Sequence, residues 1–111
     1  MPFEMPFQKM RVYQLAKQLA VLVQRAGIRD LELCNQATRA AKSCFLNIAE
    51  GLPSDQAGVR RRHLAIAKGS VCETAAAIDL CLALGLLEHE QTTPMLELAC
   101  ELKRMLSAMS R

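Results

Sequence analysis

Aromatic residues are scarce in this sequence, and tryptophan is absent. The 111 residues include three Phe and one Tyr, which together make up 4% of the chain. A hydrophobic core must therefore be built from aliphatic residues, and the many Leu and Ala residues favour α-helices. The same shortage excludes an aromatic-rich surface of the kind that stacks the bases of single-stranded nucleic acid. Because 51% of the residues are hydrophobic and 23% are charged, the composition indicates one globular domain with a single modest core.

The five cysteines do not form a pattern typical of disulfides or of a metal site. Their number is odd, no Cys-x-x-Cys pair occurs, and no His lies close to a Cys along the sequence. We therefore expect free thiols in a reducing compartment, with no structural metal and no cofactor. The cysteines are Cys34, Cys44, Cys72, Cys81 and Cys100.

The sequence also lacks the features of secretion and of membrane insertion. A signal peptide needs a basic start and an apolar run, whereas MPFEMPFQKM carries an acid and two prolines. No apolar stretch is long enough and free enough of charge to cross a bilayer. We therefore expect a cytoplasmic, soluble protein with no membrane partner.

Apolar residues recur at helical spacing along the chain, and no segment shows the strict alternation of a strand. This pattern predicts an all-α fold with four helices in a single domain that covers residues 1–111. Short connections between the helices favour an antiparallel, up-down-up-down four-helix bundle. The predicted helices cover residues of about 7–26, 30–51, 56–87 and 93–110.

Local signals mark the predicted helix ends. Gly27 is a typical stop for the first helix, and Asp30 is a suitable N-cap for the second. Ser54 or Asp55 can cap the third helix. The pair Thr93–Pro94 fits the N-cap and first position of the fourth helix.

The third helix is apolar on two opposite faces. At about 100° per residue, one face carries Leu64, Val71 and Ile78, and the opposite face is apolar as well. A helix that is apolar on both sides is buried on both sides, but a four-helix monomer of this length covers only one of them. We therefore predict a homo-oligomer, because monomers avoid large exposed apolar patches. In the alternative, Leu80, Leu84 and Leu87 lie under loops of the same chain. The predicted interface residues on this helix are Ile66, Gly69, Ala77, Leu80 and Leu84.

Polar side chains interrupt the apolar pattern at NIAEG (residues 47–51) and at AKGSVCE (residues 67–73). A buried carboxylate or amide must be hydrogen-bonded, because an unsatisfied one costs about 1–3 kcal/mol. We interpret Asn47, Glu50, Ser70 and Glu73 as a polar network that fixes helix packing and the register between subunits. A catalytic carboxylate pair is the alternative, but acid–base chemistry needs a pocket and usually a His or metal nearby. We therefore expect a protein that is not an enzyme.

The densest charge in the sequence is the run of Arg60, Arg61 and Arg62. Cations in the first turns of a helix oppose its dipole, so this placement costs some stability. Arranged around one end of an oligomer, the run would contact several phosphates per particle. In the alternative, the run is a solvated helix end with salt bridges to Glu50 or Asp55 of a neighbouring subunit. Further members of the predicted nucleic-acid-binding set are Arg39, Lys42 and Lys68.

Two segments together resemble a known family. RAAKSCFLNIAEG (residues 39–51) and HLAIAKGSVCE (residues 63–73) resemble bacterial four-helix-bundle proteins encoded by intervening sequences in large-subunit ribosomal RNA genes. That family includes the accessory variability protein of diversity-generating retroelements. The resemblance implies a cytoplasmic, ring-shaped homopentamer. For the retroelement relatives it also implies binding to nucleic acid and to a reverse transcriptase.

These observations predict a non-enzymatic, homo-oligomeric accessory protein that binds the backbone of RNA or DNA through a basic rim. No helix-turn-helix, zinc-finger or RNP-type motif occurs, so such binding would be salt-sensitive and weakly selective for sequence. The alternative is an oligomeric scaffold or adaptor that binds another protein and has no role with nucleic acid.

Overall fold

Four α-helices lie within residues 4–110, the part of the chain that the computed structural model describes. Residues 1–3 and 111 of the predicted domain lie outside it. The described residues contain no strand, so the predicted all-α fold is confirmed. The helices are α1 (Arg11–Arg25), α2 (Leu31–Gly51), α3 (Ala57–Ala83) and α4 (His89–Met109), and a 3-10 turn, Pro6–Lys9, precedes α1.

The connection between α1 and α2 has the predicted signals. The backbone of Gly27 has a positive φ of 71°, a conformation that favours glycine just after a helix end. The side chain of Asp30 caps α2, because its Oδ1 accepts a hydrogen bond of 3.0 Å from the amide of Leu33.

The start of α1 differs from the prediction. The extended backbone of Met10 separates the 3-10 turn from the helix, so α1 begins at Arg11 and not at Phe7.

The start of α3 also differs from the prediction. Gln56 is the N-cap, in place of Ser54 or Asp55, and its side chain makes no capping hydrogen bond. The hydroxyl of Ser54 accepts a hydrogen bond of 3.2 Å from the amide of Gln56. It therefore closes a turn before the helix and does not cap the helix itself.

The end of α3 lies four residues earlier than predicted, at Ala83. Gly85 has a positive φ of 75° and donates to the carbonyl of Leu82 at 3.1 Å, while Leu86 donates to the carbonyl of Cys81 at 2.8 Å. These two bonds form a Schellman motif, which ends the helix and satisfies its last carbonyls.

The start of α4 lies before the predicted Thr93–Pro94 pair. Glu88 is the N-cap, and its amide donates to Oε1 of Gln91 at 3.1 Å within a capping box. Pro94 therefore lies inside the helix, where it removes one backbone donor. The helix starts at the capping box because this box satisfies the backbone amide of Glu88. Thr93 and Pro94 are then ordinary positions within the helix.

Each helix packs against two others and forms part of one core. α1 and α3 each contact both α2 and α4. The core is aliphatic, as the composition predicts, and the ring of Tyr13 lies between those of Phe7 and Phe45, with centroid distances of 5.6 Å and 4.8 Å. None of the helices within residues 4–110 has a stretch apolar and long enough to cross a bilayer. The largest fully buried side chains include Leu19, Ile48, Leu64, Ile78, Leu102 and Leu106.

The two apolar faces of α3 differ in burial. The first face lies in the core, with Leu64, Val71 and Ile78 fully buried. On the opposite face, Leu80 is 47% exposed and Leu84 is 58% exposed. The alternative that loops of the same chain cover this face is therefore wrong for those two leucines. Leu87, in the connection between α3 and α4, is buried, and Ala77 and Ser70 are also buried within the chain.

Candidate functional site

The two polar segments meet where α2 packs against α3, and Asn47 is the centre of their contacts. Its Nδ2 donates to the carbonyl of Ser43 at 2.8 Å and lies 3.3 Å from the hydroxyl of the same residue. Its Oδ1 lies 2.9 Å from Nδ1 of His63. Because an amide oxygen can only accept, Nδ1 of His63 must carry the proton. The amide nitrogen of Asn47 therefore anchors the side chain to its own helix, while Oδ1 ties α2 to α3.

A pair of serines extends this contact along the helices. The hydroxyls of Ser43 and Ser70 lie 2.8 Å apart, and Ser70 is buried. The hydroxyl of Thr74 donates to the carbonyl of Ser70 at 2.8 Å. No buried side-chain polar atom within residues 4–110 lacks a hydrogen-bond partner. We call Ser43, Asn47, Glu50, His63 and Ser70 the polar cluster.

Glu50 joins the polar cluster at its edge. Its Oε2 lies 3.5 Å from Nδ1 of His63, and its side chain is 63% exposed, so the pair contributes little stability. Glu73 is exposed on α3 and makes no contact with the cluster. The structure thus brings together three of the four predicted network residues, within one chain.

Ser43 and His63 were not predicted as members of the polar cluster. The available signal was their spacing, because Ser43 lies four residues before Asn47 and His63 lies seven before Ser70. Both spacings place residues on one side of a helix.

Gly51 allows the end of α2 to approach α3 closely. A Cβ added there would lie 3.0 Å from Cβ of His63 and 3.4 Å from the carbonyl oxygen of Arg60. Arg60 in turn donates from Nη1 to the carbonyl of Leu52 at 2.9 Å. A cation at a helix C-terminus is favourable, so Arg60 stabilises the end of α2.

The other predicted nucleic-acid-binding residues lie on the surface. Arg61 and Arg62 are exposed at the start of α3, and Lys68 is half-buried one helical turn beyond Leu64. Arg39 and Lys42 are exposed on α2. The contacts between basic and acidic side chains found within residues 4–110 are Arg11–Glu101 and His63–Glu50, so none of these five cations has a carboxylate partner in the described chain.

An exposed apolar surface adjoins the basic residues. Ile66 is 41% exposed and lies on the same outward side of α3 as Leu80 and Leu84. Gly69, between them, has no atom within 4 Å of its Cβ position. We call Ile66, Gly69, Leu80 and Leu84 the outer face of α3.

The described residues do not include a cluster of three or more His, Cys, Asp and Glu side chains that could hold a metal ion. Two cysteine thiols lie in the core. Burial, together with the nearby Cys72, raises the pKa of Cys44 to about 12. Burial also raises the pKa of Cys81, with smaller contributions from Asp30 and Cys34. Both thiols therefore stay protonated near neutral pH, which makes them poor nucleophiles.

Known proteins share this fold and sequence pattern. The family of 23S rRNA-intervening sequence proteins matches residues 8–108. No curated protein sequence matches the chain significantly. The crystal structure of a protein of unknown function of the S23 ribosomal protein family, from Bacteroides thetaiotaomicron, superimposes with a TM-score of 0.81. That structure covers 90% of this chain and 98% of its own chain at 18% sequence identity, which shows a common fold. Because the family match spans nearly the whole sequence, this chain belongs to the 23S rRNA-intervening sequence protein family.

Proposed function

We propose that this protein is a non-enzymatic, cytoplasmic accessory protein that assembles with copies of itself and binds the backbone of RNA or DNA. One observation carries the proposal. Arg61 and Arg62 are exposed without a carboxylate partner in the described chain, on a helix whose outer face is apolar.

Contacts between helices support the helix directions that we propose. Asn47 near the end of α2 meets His63 near the start of α3, and Arg11 at the start of α1 pairs with Glu101 in the second half of α4. These contacts support an antiparallel, up-down-up-down arrangement. In that arrangement, the arginines of α3 share one end of the bundle with the cations Lys103 and Arg104.

Self-association would cover the outer face of α3. Leu80 and Leu84 are about half exposed, and burying such side chains stabilises by about 25 cal/mol per Å² of apolar area. Gly69 permits close approach of a neighbouring helix because it has no side chain. The sequence resemblance suggests a ring of five subunits.

Binding would depend on phosphates. Each phosphate contact by Arg or Lys releases counterions, so affinity falls steeply with salt. A ring would present Arg61 and Arg62 once per subunit, and this multiplicity raises the overall affinity. Lys68 and Arg39 are the outer members of the proposed surface, whereas Arg60 is engaged with Leu52 and Lys42 lines a hollow between α1 and α2. The family name points to RNA as the first ligand to test, and the sequence resemblance suggests a reverse transcriptase as a protein partner.

A gel-shift titration tests the proposal. Wild-type protein is titrated against mixed RNA and DNA duplexes at 50 mM and at 200 mM salt, beside the double variant Arg61→Ala/Arg62→Ala. We expect binding at low salt that the higher salt weakens, and loss of binding by the variant without a change in its assembly.

The matched control is Arg29→Ala, which removes an exposed arginine at the opposite end of α2, about 30 Å away along that helix. If wild type binds neither nucleic acid at low salt, or if the double variant binds as well as the control, the nucleic-acid function is wrong.

A further inference from the structure

A hollow between α1 and α2 is positively charged around an apolar floor. Its volume is about 330 Å³, and Val21, which is 39% exposed, separates it from a second hollow of about 270 Å³. None of the residues that line either hollow is acidic. We call the first one the basic hollow, and it is lined by Lys17, Ala20, Val21, Gln24, Arg25, Lys42 and Phe45.

The cations of the basic hollow have no carboxylate partner within residues 4–110. Lys17, Arg25 and Lys42 take part in neither of the ion pairs found there. The ammonium of Lys17 lies 5.1 Å from the centroid of the Tyr13 ring, and α1 contains no Asp or Glu. The hollow therefore suits a surface that brings both apolar side chains and negative charge.

A surface with these properties exists in the next groove of the same chain, between α2 and α3. Glu32 and Glu73 line a depression of about 400 Å³ between α2 and α3, together with Leu80 and without any cation. Leu84 is exposed one helical turn beyond Leu80. We call Glu32, Glu73, Leu80 and Leu84 the acidic ridge, after the exposed leucines that border the depression.

We infer that the acidic ridge of one copy docks into the basic hollow of the next copy. This inference rests on the proposed self-association and names the two surfaces that would form it. Along α1, Lys17 and Arg25 are about 12 Å apart, and along α3 Glu73 and Leu80 are about 10 Å apart. In the proposed pairing, a leucine of the ridge enters the hollow beside Val21, and the carboxylates of the ridge meet the cations of the hollow.

Charge decides between this pairing and a symmetric one. Two acidic ridges facing each other would bring Glu73 close to the carboxylates of the second copy, and two basic hollows would bring lysines together. Like-charge contact at an interface is strongly unfavourable. Ridge-to-hollow pairing is heterologous, and such contacts repeat from copy to copy until they close a ring.

A mixing experiment tests the pairing. Leu80→Arg blocks the ridge and leaves the hollow intact, while Val21→Glu blocks the hollow and leaves the ridge intact. We expect each variant alone to have the mass of one chain, 12.3 kDa, in light scattering and native mass spectrometry. An equimolar mixture should give a species of twice that mass, with one copy of each variant. This pair cannot grow further, because the unpaired ridge of the Leu80→Arg copy and the unpaired hollow of the Val21→Glu copy are both blocked.

Two matched controls keep the test specific to these surfaces. Glu97→Lys reverses an exposed charge on α4, and Lys9→Glu reverses an exposed charge just before α1, outside the hollow. Both should assemble like wild type. Circular dichroism verifies that every variant is folded. A second pair of blocking variants is Glu73→Lys, which blocks the ridge, and Lys42→Glu, which blocks the hollow.

The outcomes separate this pairing from the proposed self-association. If wild type assembles and the mixture stays at single-chain mass, or if a blocking variant assembles alone, the ridge-to-hollow pairing is wrong and self-association stands. If wild type itself has single-chain mass at all concentrations, both the self-association and the ridge-to-hollow pairing are wrong.

Discussion

Asn47 on α2 and His63 on α3 are joined by a hydrogen bond of 2.9 Å between Oδ1 and Nδ1. The bond links the two sequence segments that carry the family resemblance. Because Asn47 also donates to Ser43, it holds the α2–α3 register at one point. On either side of this hydrogen bond, Gly51 and Ser70 set the distance between α2 and α3.

We predict that Asn47→Ala lowers the free energy of unfolding by about 1–2 kcal/mol, because the half-buried His63 and Ser43 lose a hydrogen-bond partner. Urea denaturation followed by circular dichroism measures this change. Asn35→Ala removes an exposed amide from the same helix and should change stability by less than about 0.5 kcal/mol. Equal effects of the two substitutions would show that the polar cluster does not stabilise the α2–α3 packing.

We predict that Gly51→Ala destabilises the protein although alanine favours helices. The new methyl group would lie 3.0 Å from Cβ of His63, so α2 and α3 must move apart, at a cost of about 1–3 kcal/mol. Gly58→Ala is the control, because its added methyl group meets no atom within 4 Å. A lower melting temperature for Gly51→Ala than for Gly58→Ala is the expected result, and the opposite order would contradict close packing at Gly51.

The helix ends show what local sequence signals can predict. Gly27 and Asp30 mark the α1–α2 connection correctly because each acts on the backbone within a few residues. The stop at Gly85 is harder to predict because this glycine lies inside the apolar run LALGLL (residues 82–87), whose spacing favours a continuing helix. Its Schellman motif ends α3, since a positive φ is cheap only at glycine.

The polar cluster shows what local signals cannot predict. Asn47, Glu50 and Ser70 are conspicuous in the sequence because they interrupt apolar helices. Their partners Ser43 and His63 are set by the register between α2 and α3, which is a tertiary relationship. Sequence periodicity gives the faces of α3 but does not show which neighbour covers each face. For that reason Ser70 and Ala77, predicted at a subunit interface, are buried within one chain.

We predict that the buried thiol of Cys44 makes the protein less stable at alkaline pH. Its pKa is about 12 in the folded state, against 9.0 for an ordinary thiol. Below pH 9 the thiol is protonated in both states, and its contribution to stability is complete. Above pH 9 the unfolded chain loses this proton first, so stability falls as pH rises, by about 1.4 kcal/mol at pH 10.

Urea denaturation at pH 8 and at pH 10 measures this fall, and the conservative variant Cys44→Ala isolates the contribution of the thiol. The fall should be smaller in Cys44→Ala than in wild type. Cys100→Ala removes an exposed thiol and should leave the fall unchanged. A wild-type fall that matches that of Cys44→Ala would show that the Cys44 thiol ionises equally in both states.

We predict that Arg60 of α3 contributes to stability and that the neighbouring Arg61 contributes to nucleic-acid binding. Arg60→Ala removes the hydrogen bond to the carbonyl of Leu52 and should lower the free energy of unfolding by about 1 kcal/mol. Its nucleic-acid binding should stay close to that of wild type.

Arg61→Ala removes an exposed side chain and should change stability by less than about 0.5 kcal/mol. It should also reduce the slope of log affinity against log salt by about 1 for each phosphate that the arginine neutralises. Paired urea denaturation and salt-dependent gel shifts on the two variants check this division, and a binding loss in Arg60→Ala with none in Arg61→Ala would reverse the roles assigned to them.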